Sequence, residues 1–188
     1  MSSIRLFILG SLVESGPMHG HALRLLAEEE SVEKWADLSP GAIYGAIKRL
    51  AAEELIEVER VERDGNYPER QVYAVTATGL ESLRQIRNEA LERIVYRPDP
   101  FDLALCRLGD ENIDGLRETL ETRLATFRDR LANEELKLDQ IGQFLTTTEK
   151  HVTKHDKHRI RGEIAWLEEL IEALPEILDD ELSRKRPS

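Results

Sequence analysis

The apolar residues of the first 30 positions recur at the spacing of an α-helix. They predict a first helix whose buried stripe consists of Ile4, Phe7, Ile8 and Leu12. Gly16 and Pro17 are expected to end this helix, and His19 and Gly20 to begin a second one. Each helix has one apolar side, so both are expected to pack against further elements of the same domain.

A third helix is predicted from residue 40 onward. Ser39 is a candidate N-cap, and Pro40 suits the first helical position, where its missing amide proton would have no partner in any case. One side of this helix should be buried, since Ile43, Ile47 and Leu50 recur at i, i+4 and i+7. A phosphate backbone could approach the other side closely. That side carries Gly41, Tyr44, Gly45 and Lys48.

After the third helix, the apolar residues alternate with polar ones. Segments 58–63 and 70–76 are rich in β-branched and aromatic residues and flank a polar DGN turn, so a β-hairpin is favoured. Arg63, Asn66 and Arg70 lie on or beside its tip. Guanidinium and amide groups at this tip could reach phosphates or the edge of a minor groove.

A capped helix followed by a two-stranded hairpin is the order of a winged helix-turn-helix. In three motifs the chain resembles the PadR family of bacterial transcriptional regulators: GSLVESGPMHGHAL at 10–23, LSPGAIYGAIKRLAAEELIE at 38–57 and RQVYAVTATGLESL at 70–83. The resemblance implies a dimeric repressor that binds promoter DNA and often releases it when a small molecule binds. It also implies that Tyr44 and Lys48 lie at the DNA face, with the hairpin arginines as a wing.

The chain departs from the family pattern at three positions. The family usually has proline in place of Gly45, glycine in place of Glu54 and an aromatic residue in place of His21. Pattern and resemblance together give a set of expected DNA-binding residues. These are Ser39, Gly41, Tyr44, Lys48, Arg49, Arg63, Asn66 and Arg70.

The second half of the chain is predicted to be helical. A helix starting at Thr76 should run towards Tyr96, and the prolines at 98 and 100 should stop it. We therefore expect a winged helix-turn-helix DNA-binding domain at residues 1–96 and a helical dimerisation domain at residues 97–188. The expected fold class is mainly α with a small β-hairpin wing.

A short helix over residues 102–108, a long amphipathic helix from residue 113 and a last helix should form the second domain. The last helix has two adjoining apolar stripes, more than one partner helix can cover, so burial against a second copy of the chain is the simplest resolution. Two recognition helices roughly 34 Å apart would then read a palindromic operator. The expected dimerisation residues are Ile160, Ile164, Trp166, Leu167, Leu170, Ile171, Leu174, Ile177 and Leu178.

Charge limits the DNA-binding hypothesis. The chain has 188 residues, a net charge of -11 and a pI near 5.0. DNA binding requires that basic side chains gather on one face while the acids point elsewhere, and affinity for random DNA should be modest. The rival hypothesis is a winged-helix adaptor that binds another protein through its acidic surface. The side chains that must gather are Lys48, Arg49, Arg60, Arg63 and Arg70.

Catalytic chemistry finds little support in the sequence. There is no GxSxG, phosphate loop or HExxH motif, so neither an enzyme nor a cofactor is expected. Cys106 is the single cysteine and cannot form an internal disulfide, which fits a reducing cytoplasm. The apolar stretch at residues 4–13 is too short to span a bilayer.

Two features of the last helix leave alternatives open. His151, His155 and His158 fall at i, i+4 and i+7, a spacing that could hold zinc or nickel, but the surrounding lysines and arginines oppose a dication. Trp166 is either an ordinary packing residue or, as the family resemblance allows, part of a pocket for a small aromatic effector.

Overall fold

The structure is a computed structural model that describes residues 3–30, 32, 40–63, 69–96 and 98–184. The chain divides into two compact units, Met1–Tyr96 and Arg97–Ser188. The described part is mainly helical with one small antiparallel sheet, which confirms the predicted fold class. None of the helices in these ranges combines the length and the apolar character needed to cross a bilayer.

The first unit is a helical domain with a three-stranded sheet. Its elements are α1 Ser3–Glu14, β1 Met18–His19, α2 Gly20–Glu29, a 3₁₀ turn Pro40–Ala42, α3 Ile43–Ala52, β2 Ile56–Glu62, β3 Arg70–Val75 and α4 Ala77–Glu92.

One hydrophobic core joins these helices to the base of the sheet. Ile8 of α1, Leu23 of α2 and Leu50 of α3 are each 0% exposed. Burial of a side chain of this size contributes roughly 1.5–3 kcal/mol, so these helices are held by packing more than by their intrinsic propensity. The predicted apolar stripes are confirmed for Ile4, Ile8 and Leu12 in α1 and for Ile43, Ile47 and Leu50 in α3, whereas Phe7 is only partly buried.

The predicted hairpin is confirmed, and a third strand extends the sheet to the order β1-β3-β2. The extra strand is Met18–His19, which pairs with β3 and is too short to show any periodicity in the sequence. Between Val58 and Arg60 the pairing of β2 with β3 shifts by one residue, as in a β-bulge. The predicted turn and Asn66 lie outside the described residues, as do Ser39 and Trp35.

Helix α3 ends in a Schellman turn centred on Glu54. This residue has φ of 58°, in the left-handed region. Its amide donates to the carbonyl of Ala51 at 3.1 Å, and the amide of Leu55 donates to the carbonyl of Leu50 at 2.9 Å. These two bonds turn the chain from α3 into β2. The left-handed backbone also gives a physical reason for the glycine that the family usually has here.

Helix α4 is fastened to this turn by its N-cap. The hydroxyl of Thr76 accepts the amide of Gly79 at 3.0 Å and donates to the carbonyl of Glu54 at 2.8 Å. A Cβ atom on Gly79 would lie 2.0 Å from the carbonyl oxygen of Leu55, so the first turn of α4 packs directly on backbone. The Schellman turn, the residues that lead into β2 and the start of α4 are therefore held together by direct backbone contacts and hydrogen bonds.

The predicted length of α4 was wrong. The helix ends at Glu92, and Leu91, Ile94 and Tyr96 are 80%, 94% and 88% exposed. Ile94 and the residue after it are β-branched, which lowers helix propensity. Among the apolar residues expected to line this helix, Leu83 is fully buried at 3% exposure.

The second unit is all helical in the residues that are described. It contains α5 Pro100–Leu105, α6 Asp110–Ile113, α7 Leu116–Ile141 and α8 Thr147–Arg184. The short helix begins two residues earlier than predicted, because Asp99 caps it by accepting the amide of Phe101 at 2.9 Å. Pro100 then takes the first helical position, where proline is tolerated.

Helices α7 and α8 form an antiparallel pair. Arg128 of α7 donates to Glu168 of α8 at 2.6 Å, and further along α7, Glu135 accepts from Arg161 at 2.7 Å. The start of α8 has a capping box, which the T-x-x-E spacing could have predicted, since Thr146 and Glu149 bond to each other's amides. The core between the two helices contains Leu116, Leu120, Leu124, Leu167 and Leu174.

Candidate nucleic-acid interface

An open cleft of about 500 Å³ lies in the first unit, between the start of α2, the exposed side of α3 and the wing. Its walls are partly aromatic and partly charged, and they come from five separate elements of the chain, β1, α2, α3, β2 and β3. The lining residues are His19, Gly20, His21, Tyr44, Ile47, Lys48, Val61, Glu69, Arg70, Gln71 and Tyr73.

Helix α3 supplies the residues that the sequence placed at the DNA face. Tyr44 and Lys48 are one helical turn apart and both line the cleft, and Tyr44 is 46% exposed. Lys48 is exposed, and in the described ranges no carboxylate forms an ion pair with it. Gly41 is exposed in the 3₁₀ turn that precedes the helix. The aromatic ring of Tyr44 and the cation of Lys48 therefore lie on the cleft side of α3, while its apolar side is buried in the core.

The predicted arginines occupy different places. Arg70 lies at the start of β3 and lines the cleft. Arg49 is exposed on α3, with its guanidinium beside Gly45, and does not line the cleft. Arg63 is exposed just beyond the end of β2. The predicted sites Ser39 and Asn66 lie outside the described residues.

The positive charge of Arg60 is compensated by two neighbouring glutamates. Its guanidinium donates to Glu62 at 2.7 Å and also pairs with Glu59. The hydrogen bond to Glu62 is the main cause that raises the pKa of Arg60 above its ordinary range. Two carboxylates therefore already compensate this cation, and Arg60 does not line the cleft. The charged lining of the cleft consists of Lys48, Arg70 and the opposing Glu69.

The sequence predicted that His19 and Gly20 begin the second helix, but not that His19 and His21 line the cleft. The imidazole Nδ1 of His19 accepts the amide of Ala22 at 2.9 Å and so acts as the N-cap of α2. The ring of His21 lies 6.1 Å from the ring of His19, at an interplanar angle of 22°. The HGH triplet is visible in the sequence, but only the pairing of β1 with β3 brings it beside α3.

In the second unit, the apolar residues of α8 fall into two groups. Ile160, Leu167 and Leu174 recur every seven residues and are 3%, 0% and 1% exposed within the chain itself. Their surface is therefore already covered within the chain, and Leu167 and Leu174 lie in the core shared with α7. The flanking positions of the predicted seam remain half-buried, and these are Ile164, Trp166, Leu170, Ile171, Ile177 and Leu178.

Trp166 belongs to an aromatic cluster with one cation. Its ring meets that of Phe101 edge-on, with 5.8 Å between centroids. The guanidinium carbon of Arg123 lies 4.2 Å from the centroid of Phe101 and 5.5 Å from that of Phe127. Arg123 also pairs with Asp99, yet its buried Nε has no hydrogen-bond acceptor among the described residues.

The histidine row lies on α8 and is exposed to solvent. In the described part of the chain, no group of three or more His, Cys, Asp or Glu side chains could hold a metal ion. His151, His155 and His158 do follow one another along a helix as their spacing predicted.

Residues 8–85 match the family model "Transcriptional regulator PadR-like family". This part of the chain is similar to PadR-like transcriptional regulators. The resemblance seen in the three sequence motifs is thereby confirmed. PadR-like proteins are transcriptional regulators and not enzymes, which agrees with the non-catalytic interpretation of the sequence. A comparison with curated proteins gives no match.

Solved PadR structures share the fold of this chain over most of its length. Bacillus subtilis PadR in complex with operator DNA has a TM-score of 0.70 at 20% identity, over 93% of this chain and 98% of that one. The same protein in complex with p-coumaric acid gives 0.70 at 18% identity, over 93% and 99%. The PadR-like regulator BC1756 from Bacillus cereus gives 0.61 at 19% identity, over 90% and 94%.

Proposed function

We propose that this PadR-like regulator is a homodimeric repressor that binds a palindromic operator in the cytoplasm and leaves it when a small aromatic molecule binds. The observation that carries the proposal is the cleft in which Tyr44, Lys48 and Arg70 converge from a recognition helix and a wing. Bacillus subtilis PadR, which shares the fold of this chain, was crystallised in complex with operator DNA.

Each part of the interface has a distinct task. Helix α3 enters the major groove, where Tyr44 contacts bases and Lys48 and Arg49 contact phosphates. The wing lies along the adjacent backbone, where Arg63 and Arg70 neutralise further phosphates. Few cations take part and the chain as a whole is acidic, so random DNA binds weakly and two copies on one palindrome supply the affinity.

DNA binding is tested with a duplex taken from the region upstream of the protein's own gene and with a random duplex of equal length. Lys48→Ala should weaken binding to both duplexes and lower the slope of log affinity against log salt by about one, since one phosphate contact is lost. The matched control is Lys154→Ala, which removes the same charge from an exposed position of α8.

Two results would contradict the proposal. Equal loss in Lys48→Ala and Lys154→Ala would mean that the total charge matters and the cleft does not. A folded wild-type dimer that binds no duplex at any salt concentration would favour the protein-binding adaptor.

Dimerisation is supported by the half-buried positions of α8. A stripe that contains Trp166, Leu170 and Ile177 keeps apolar surface in contact with solvent after α7 has covered the other stripe. Burial of apolar area contributes about 25 cal/mol per Å², so a second copy of α8 would be stabilised on this surface.

An aromatic effector is supported by the cluster of Phe101, Arg123, Phe127 and Trp166. The buried Nε of Arg123 is a donor that lacks an acceptor among the described residues, and a carboxylate or phenolate could provide one beside three aromatic rings. Bacillus subtilis PadR, which shares the fold, was crystallised with p-coumaric acid.

Fluorescence titration tests this effector site. The chain has two tryptophans, Trp35 and Trp166, so Trp35→Phe isolates the signal of Trp166. Addition of p-coumaric acid should quench that signal, and Arg123→Met should weaken the response more than Arg128→Met, a control on the same helix. A flat titration with p-coumaric acid and with planar drugs would leave Trp166 as a packing residue only.

A further inference from the structure

The ring of Tyr44 lies against a residue that has no side chain. A Cβ atom on Gly20 would lie 3.0 Å from Cε1 and 3.2 Å from Cδ1 of Tyr44, and 3.1 Å from Cδ1 of Ile47. These distances are shorter than ordinary carbon–carbon contacts, which begin near 3.5 Å. The Tyr44 ring thus occupies the space that any side chain at position 20 would need.

The backbone of Gly20 is held from both sides and cannot easily retreat. The two residues before it, Met18 and His19, form β1 and pair with β3. The imidazole of His19 then caps α2 by accepting the amide of Ala22 at 2.9 Å. A side chain added at position 20 would consequently move the ring of Tyr44 and leave the helix start in place.

We infer that Gly20 is a positioning residue for operator recognition: it lets the Cδ1–Cε1 edge of the Tyr44 ring lie close against the start of α2 while the ring lines the cleft. This inference rests on the proposed function. A ring that is already ordered loses less conformational freedom when DNA binds, so its contacts retain more of their gross energy. Gly20 is a positioning residue because it acts through Tyr44 and touches no DNA itself.

Operator affinity tests the inference through a double-mutant cycle. Gly20→Ala should weaken binding to the upstream duplex moderately, and Gly20→Val, which adds more bulk, should weaken it by roughly tenfold, the order expected for one good base contact. In a Tyr44→Ala background, neither change should weaken binding further, since the ring it displaces is gone. If the Gly20 substitutions weaken operator binding by the same factor with and without the Tyr44 ring, Gly20 does not act through Tyr44.

Thermal unfolding provides a readout that needs no DNA. Gly20→Ala should lower the Tm when Tyr44 is present and should not lower it in the Tyr44→Ala background, where most of the close contact has been removed. Gly10→Ala is the matched control, because Gly10 is also helical and a Cβ there meets nothing within 4 Å. It should leave both the Tm and the operator affinity of the wild type intact or raise the Tm.

The two readouts separate this inference from the proposed function. Coupling in Tm with no binding of the wild type to any duplex would refute operator recognition while keeping Gly20 as the support of Tyr44. Normal operator binding by Gly20→Val, or no coupling in Tm, would overturn the role of Gly20 and leave the proposed function standing.

Discussion

Glu54 shows how one residue can sit against its own conformational preference. Its φ of 58° is costly for a residue with a Cβ atom, yet both hydrogen bonds of the Schellman turn depend on it. Its side chain is exposed, so the carboxylate makes little contact that could offset the strain. The turn is therefore kept by the packing of Leu55 and by the bond from Thr76, and not by the residue at its centre.

Replacement of this residue gives a direct prediction. Glu54→Gly should raise the free energy of unfolding by about 0.5 to 1 kcal/mol, since glycine adopts this φ without strain but loses more entropy on folding. Urea denaturation measures the difference. Glu54→Ala is the control, because it removes the carboxylate and keeps the Cβ atom, and it should give no gain. Equal stabilisation by both variants would assign the effect to charge.

At the scale of single residues, the sequence predicted the exposed side of α3 correctly and the charged surroundings incompletely. Tyr44 and Lys48 follow from helical spacing, which fixes the direction of a side chain whatever the tertiary context. The pairing of Arg60 does not, because spacing along the strand does not show that one guanidinium bonds to both Glu59 and Glu62. The position of His19 in the cleft was not predicted, because it depends on the pairing of a two-residue strand with β3.

At the scale of elements, helix α4 packs through Gly79 directly on the backbone of Leu55, the residue before β2. Gly79→Ala should destabilise the protein by roughly 1–3 kcal/mol, because its Cβ would collide with the carbonyl oxygen of Leu55 and the helix would have to shift. Gly10→Ala, in open space, should instead stabilise it by about 0.5–1 kcal/mol. Thermal denaturation of the two variants checks the contrast, and equal shifts would contradict it.

The cap of α5 makes stability depend on pH. The hydrogen bond from the amide of Phe101, and then the hydrogen bond and the charge of Arg123, lower the pKa of Asp99 below its ordinary value of 3.8. A lowered pKa in the folded protein means that the contribution to stability is complete above pH 3.8 and is lost as pH falls through the lower folded value.

The measurement compares wild type with Asp99→Asn. The wild type should exceed the variant in free energy of unfolding above pH 3.8, and the difference should shrink as the solution becomes more acidic. Denaturant titrations from pH 5 downward follow this change. A difference that stays constant across the range would show that the carboxylate charge has no part in the cap.

Element boundaries were harder to predict than element types. The start of α5 was placed two residues late because the capping role of Asp99 was overlooked, although a side-chain acceptor before proline is a recognisable signal. The end of α4 was placed too late because its apolar periodicity continues past Glu92 while the helix does not. Periodicity reports which residues could share a face and does not report whether the backbone follows.

At the scale of the whole molecule, the expected homodimer gives a prediction about oligomeric state. Leu170→Glu should shift the protein from dimer towards monomer, because a charge would then lie on the half-buried stripe of α8. Light scattering during size-exclusion chromatography measures the mass. Ala165→Glu places the same charge on an exposed position of that helix and should remain dimeric. A monomeric wild type would contradict the dimer outright.

The side chains of the edge strand β2 affect the tendency of the protein to associate through its sheet. Strand β2 lies at the end of the order β1-β3-β2, and beyond its first residue it is exposed along its whole length. An open strand edge invites a strand from another molecule. Strand β2 carries Glu57, Glu59 and Glu62 against one cation, Arg60, so any such stack would bring net negative charge together. This charge opposes edge-to-edge pairing despite the apolar surface of Val58 and Val61.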